Sequence, residues 1–169
     1  MSPVVRRSWS PKGHTPVFSQ RARAYQKVSM IAAVTVTSLY MRTGLYFSLH
    51  SNRNVKTPQV IRFLKDLARH IRGPIIIVWD RLLAHKAKAV ERFTHDHSRV
   101  AVHFFPAYAP ELNPTEYLWA YLKNNPLANR TITETQKLSQ VTRYHSMKIK
   151  QRPKLLRSFL YASSLFCHK

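Results

Sequence analysis

The stretch GPIIIVWDRLLAHKA, residues 73–87, decides how the rest of the chain is read. Gly73 and Pro74 break whatever precedes them, Ile75 to Val78 leave no polar parity, and the run stops on a charge at Asp80. A short β-branched run bounded in this way reads as a strand buried on both faces, the central kind found in α/β sheets. Ligands and catalytic groups in open α/β sheets gather at the carboxyl ends of strands, which puts Asp80 forward as a site residue. The competing use is an aspartate that caps the turn leaving the strand, and position alone does not separate the two.

Upstream, VSMIAAVTVTS (28–38) and GLYFSLH (44–50) are strand-like runs joined at MRTG, and a hairpin is the simplest account. KTPQVIRFLKDLARHIRG (56–73) carries helix punctuation: Thr57 as N-cap, Pro58 at the first helical position and Gly73 as the stop. Ile61, Leu64, Leu67, Ala68 and Ile71 form its apolar stripe. Residues 1–27 read as loop and edge structure. Downstream, a helix is expected over 86–96, a strand over 100–105, a helix from Asn113, a loop at NNPLANRTIT (124–133), and helices over 133–147 and 154–167. The alternation of strands and helices predicts a single α/β layered domain spanning 1–169.

The stretch FFPAYAPELNPTEYLWAYLK (104–123) holds three prolines four residues apart, Pro106, Pro110 and Pro114. Asn113 is a good N-cap, Pro114 suits the first helical position, and Glu116 falls third, where a glutamate can bond back to the cap amide. The same geometry would aim a carboxylate, so capping and chemistry compete for Glu116. Helical spacing puts Lys123 on the face of Glu116, within reach of a phosphate held there, although a solvated lysine is the commoner outcome. Trp119, beside Leu118 and Leu122, reads as a core anchor for this helix. Hard oxygen ligands from separate elements, such as Asp80 and Glu116, are what magnesium takes. His85 could orient a phosphate, or be a polar loop residue.

Charge points to the partner. The 169 residues carry 28 Lys and Arg against 7 Asp and Glu, a net charge of +21. Residues 1–65 have 11 basic and no acidic side chains, residues 117–169 have 10 basic and one acidic, and residues 66–116 are nearly neutral with 7 and 6. Carboxylates collected between basic flanks suit a site that handles phosphodiesters, and nucleic acid is the expected partner. Charge alone fits a non-catalytic nucleic-acid-coating protein equally well. The lone Cys167 offers neither a disulfide nor a zinc cluster, and no apolar run approaches the ~20 residues that span a bilayer. A cytoplasmic or nucleoid-associated protein with no membrane partner is the expectation.

IIIVWDRLLAHKA followed by HFFPAYAPELNPTEYLWAYLK resembles the second and third catalytic blocks of DDE transposases of the mariner superfamily, in its bacterial insertion-sequence branch. Asp80, His85, Pro106, Tyr108, Pro110, Glu111, Leu112, Asn113, Pro114, Glu116 and Trp119 match its pattern, with 35 residues between Asp80 and Glu116. RRSWSPKGHTPV (6–17) and RPKLLRSFLYAS (152–163) extend the likeness. The resemblance implies a ribonuclease H-like α/β fold, a mixed sheet flanked by helices, and Mg2+ (or Mn2+) held by Asp80 and Glu116 for DNA cleavage and strand transfer. It makes His85 and Lys123 candidate phosphate or DNA contacts, and Asn113, Pro114 and Trp119 supports of the site. The partners it implies are transposon ends and target DNA, with a homodimer as a candidate assembly. The family's first catalytic Asp and its strand precede the Arg-x-Trp segment, so an N-terminally incomplete catalytic domain without a helix-turn-helix region is expected. Asp66, the earliest acid here, sits on the wrong element to replace that Asp. The chain is accordingly expected to bind DNA and scarcely cut it, unless an upstream reading-frame product supplies the missing carboxylate.

Overall fold

The computed structural model describes residues 9–14, 27–39, 41–129 and 135–165. β1 (Val28–Val36) and β2 (Thr43–Ser51) form the expected antiparallel hairpin, paired from Val28 with Ser51 to Val36 with Thr43. Its turn lies at 37–42, not at MRTG, because Gly44 already belongs to β2. Gly44 stands opposite Thr35, and a β-carbon there would lie 2.8 Å from Thr35 Oγ1, so this glycine serves cross-strand approach.

α1 (Thr57–His70) starts one residue earlier than read, with Lys56 as N-cap, because Gln59 Oε1 accepts the Lys56 N–H at 3.0 Å. Its buried side is Val60, Phe63, Leu64, Leu67 and Ala68, a stripe turned slightly from the one read in sequence. Arg69 and His70 fall in its last turn, where positive charge suits the helix dipole.

β3 (Ile75–Trp79) pairs in parallel with β4 (Val100–Phe104), Ile75 against Val100 through Trp79 against Phe104. The reading of β3 as buried on both faces is corrected: Ile76 is 71% and Val78 44% exposed, whereas Ile75 is buried. Among the described residues β3 bonds only to β4, and the strands form two two-stranded sheets in place of one mixed sheet. Alternate β3 side chains therefore lack a covering layer.

α2 (Lys88–Asp96) begins two residues later than expected, leaving Lys86 in the preceding turn. A 3-10 turn (Pro110–Leu112) precedes α3 (Pro114–Asn124), and α4 (Thr135–Lys150) and α5 (Pro153–Ala162) complete the order. α5 stops short of residue 167; Ser163 donates to the Leu160 carbonyl and Ser164 turns left-handed at φ +55°. Cys167, Glu134 and most of residues 1–27 lie outside the described residues, as do the readings made of them.

Two apolar clusters fix the layers. Val28 and Leu45 of the hairpin pack with Leu118 and Leu122 of α3, Leu138 and Ile149 of α4, and Leu156 and Phe159 of α5, with Trp119 and Tyr121 partly buried against them. Val60, Leu64, Val90 and Phe93 join α1 to α2 and receive Ile31 of β1 with Ile77 and Trp79 of β3. Each fully buried side chain of this kind contributes roughly 1.5–3 kcal/mol. The first cluster holds the start of α3 and the second the end of β3, the two places that carry Asp80 and Glu116. No helix among the described residues is long and apolar enough to cross a membrane.

Candidate active site

Asp80 follows the last residue of β3, where the chain leaves the sheet. Its Oδ1 lies 2.7 Å from His85 Nδ1 and accepts the Leu82 N–H at 3.2 Å. The aspartate thus caps its own turn, as one of the two readings has it, and is also held by the histidine five residues on. Its Oδ2 has no hydrogen bond among the described residues. The His85 ring stacks flat on Trp79, with centroids 4.3 Å apart and planes 1° apart, which fixes the ring that fixes the carboxylate. His85 holds the Asp80 carboxyl below its ordinary value; burial opposes this, and the Leu82 amide and the imidazole charge add to it.

Glu116 enters from the other side. Asn113 caps α3, its Oδ1 accepting the Thr115 N–H at 3.1 Å and the Thr115 hydroxyl at 2.6 Å. The Asn113 N–H donates to the Pro110 carbonyl at 3.0 Å, inside the 3-10 turn. Capping therefore does not engage the Glu116 side chain: the cap amide is already satisfied, and the carboxylate has no hydrogen bond among the described residues. Pro106, Pro110 and Pro114 hold the approach, and Pro114 is buried.

Asp80 and Glu116 line one pocket of about 390 Å³, together with Arg81, Lys86, Phe105, Tyr108 and Asn113. Arg81 Nε donates to the Phe105 carbonyl at 3.2 Å, tying the exit of β3 to the exit of β4. His85 stands behind Asp80, outside the lining. Lys123 is not among the lining residues either, and Arg81 and Lys86 supply the positive charge instead. Sequence reasoning passed over both, although basic residues just after a strand end border the same crevice as the strand-end acid. Trp119 packs, partly buried, against the first cluster, and the backbone carbonyl of exposed Glu111 accepts the Tyr117 hydroxyl at 3.4 Å.

A metal would find two hard carboxylate donors here, each with an oxygen not otherwise bonded among the described residues. No group of three or more His, Cys, Asp or Glu side chains among the described residues could hold one. The set fits a single magnesium-like ion completed by water and substrate, since that ion commonly takes one or two carboxylates.

The DDE superfamily endonuclease family matches residues 1–139. The chain belongs to this family. The match includes Asp80 and Glu116 and stops before α5, so the likeness read for residues 152–163 lies beyond it. A comparison with curated proteins finds no match. Among solved structures, this chain is similar to the Mos1 strand transfer complex, at 17% identity and a TM-score of 0.59, covering 99% of this chain and 52% of that one. It is similar to a Mos1 transposase paired-end complex with left transposon end (17%, TM-score 0.57, 99% and 53%) and to a Mos1 mariner paired end complex with Mn (16%, 0.55, 99% and 53%). These likenesses establish the ribonuclease H-like mixed α/β fold. The chain spans about half the length of the Mos1 chains it matches.

Proposed function

We propose that this chain is part of the catalytic domain of a transposase, of the bacterial insertion-sequence branch, and acts in DNA cleavage and strand transfer with magnesium or manganese held by Asp80 and Glu116. The observation that carries the reading is that these two carboxylates, with 35 residues between them in sequence, line one pocket with basic side chains at its wall. Family membership and the DNA complexes formed by the Mos1 relatives support it.

The residues divide the work. Arg81 and Lys86 attract the phosphodiester, Asp80 is kept ionised and aimed by His85, and Glu116 is aimed by the Asn113 cap. A divalent ion, if held by Asp80 and Glu116, would supply Lewis-acid activation and charge neutralisation there. Two carboxylates are a thin set for this chemistry. The proposed source of a third is a strand outside the described residues, from an upstream reading-frame product, which would also cover Ile76 and Val78. Pairing of two transposon ends makes a homodimer the proposed assembly, in the cytoplasm at the nucleoid.

DNA binding by the full chain separates this from a basic coating protein. Without divalent metal, Asp80→Asn and Glu116→Gln are expected to tighten binding slightly by removing repulsion. With Mg2+, the wild type gains affinity and both variants lose the gain. A coating protein would show the same steep salt dependence in all three chains and no magnesium effect. Strong Mg2+-dependent nicking by the isolated chain, abolished by Asp80→Asn, would overturn the incomplete-set reading.

A further inference from the structure

We infer that Tyr108 is a stacking platform for an unpaired nucleobase next to the phosphate held between Asp80 and Glu116. This rests on the function proposed above and specifies the form of DNA that the pocket takes. Tyr108 is 102% exposed, on the lip of the pocket that the two carboxylates share with Arg81 and Lys86. Its ring makes no aromatic contact and its hydroxyl no hydrogen bond among the described residues. An aromatic side chain wholly in water contributes nothing to the core.

Its backbone is the second observation. Tyr108 sits at φ +59°, the left-handed region that a bulky residue enters at a cost, and glycine would occupy the position without strain. Strain of this kind persists only where the surroundings impose it, and it concentrates at ligand clamps. Pro106 and Pro110 flank the residue two positions away on each side and limit the alternatives. The backbone that carries the ring is therefore restrained at the lip of the pocket, and the exposed ring is left open on both faces to a flat ligand.

The neighbours select the ligand. A flat apolar face beside Arg81 and Lys86 matches a planar ring attached to a phosphate, which is a nucleotide. Within a paired duplex both faces of a base are already stacked, so the partner must be an unpaired or extruded base. Base stacking on aromatic side chains is tolerant of sequence because every base has such a face.

The test uses the full chain and two DNAs of one sequence, a blunt duplex and the same duplex with one unpaired 2-aminopurine. Wild type is expected to quench the 2-aminopurine fluorescence and to prefer the unpaired DNA, by about 5-fold or more, the range of one stacked base. Tyr108→Phe and Tyr108→Trp should keep both effects, and Tyr108→Ala should abolish both. Tyr108→Gly adds a readout that a structural role would not give: Tm unchanged or raised as the left-handed strain is relieved, with the preference lost. Quenching and preference that survive in Tyr108→Ala would overturn the inference, as would a fall in Tm for Tyr108→Gly. If Tyr108→Ala behaves as wild type while the magnesium gain still depends on Asp80 and Glu116, stacking alone fails. If none of the chains shows a magnesium gain, the functional reading has failed with it.

Discussion

Replacing His85 by Phe isolates the interaction that holds Asp80. The phenyl ring keeps the stack on Trp79, whose partner ring now lies 4.3 Å away, and removes the 2.7 Å contact from Nδ1 to Asp80 Oδ1. A hydrogen bond to a charged group is worth about 1.5–3 kcal/mol when shielded. The Asp80 side chain is 43% exposed and that of His85 12%, so solvent weakens the pair. About 1 kcal/mol of coupling is the resulting expectation. A double-mutant cycle of His85→Phe with Asp80→Asn, read by urea unfolding at neutral pH, measures it. The same pair gives a pH signature. Because Asp80 is held below its ordinary value of 3.8, its ionisation contributes stability that is fully present above 3.8 and is lost as pH falls through the lower folded value. In His85→Phe the hydrogen bond that depresses the carboxyl is gone while burial still raises it, so its NMR titration should move up. Additivity within about 0.3 kcal/mol, together with an unmoved Asp80 titration, would refute the positioning role.

Two further perturbations test the supports. Asn113→Ala removes the cap of α3 and should cost about 1 kcal/mol in urea unfolding, with Asn113→Asp recovering most of it; no loss on the alanine change would mean that the cap does not hold the start of α3. Gly44→Ala drives a β-carbon to 2.8 Å from Thr35 Oγ1 and should lower Tm, while adding Thr35→Ala should restore much of the loss; an unchanged Tm for the single variant would contradict the tight crossing.

Much of the site could be read in sequence because local chemistry specifies it. A β-branched run that ends on an acid, and Asn-Pro ahead of a glutamate, each set their own geometry within a few residues. What the sequence left open were the alternatives at single side chains. Whether Glu116 caps or stays available depends on where the Asn113 N–H goes, and the answer, the Pro110 carbonyl, belongs to a 3-10 turn with no periodic pattern to betray it. The double-sided burial expected of β3 failed because an apolar run reports what a strand can pack against, and Ile76 and Val78 find no layer among the described residues. Lys123 is legible in sequence because helical spacing places it, whereas Arg81 and Lys86 follow a strand, where the path of the loop is decided by contacts such as that of Arg81 Nε with the Phe105 carbonyl. Tyr108 was legible only as a motif position; its exposure and left-handed backbone emerge in three dimensions.

The central claim is that Asp80 and Glu116 form one cation site. Mn2+ binding to the full chain, followed by the loss of the free-ion EPR signal, tests it most directly. One weak site per chain is expected, removed by either Asp80→Asn or Glu116→Gln, with Glu91→Gln, a change to an exposed acid of α2, as an unaffected control. Binding that survives either substitution, or that falls equally in the Glu91 control, would contradict it.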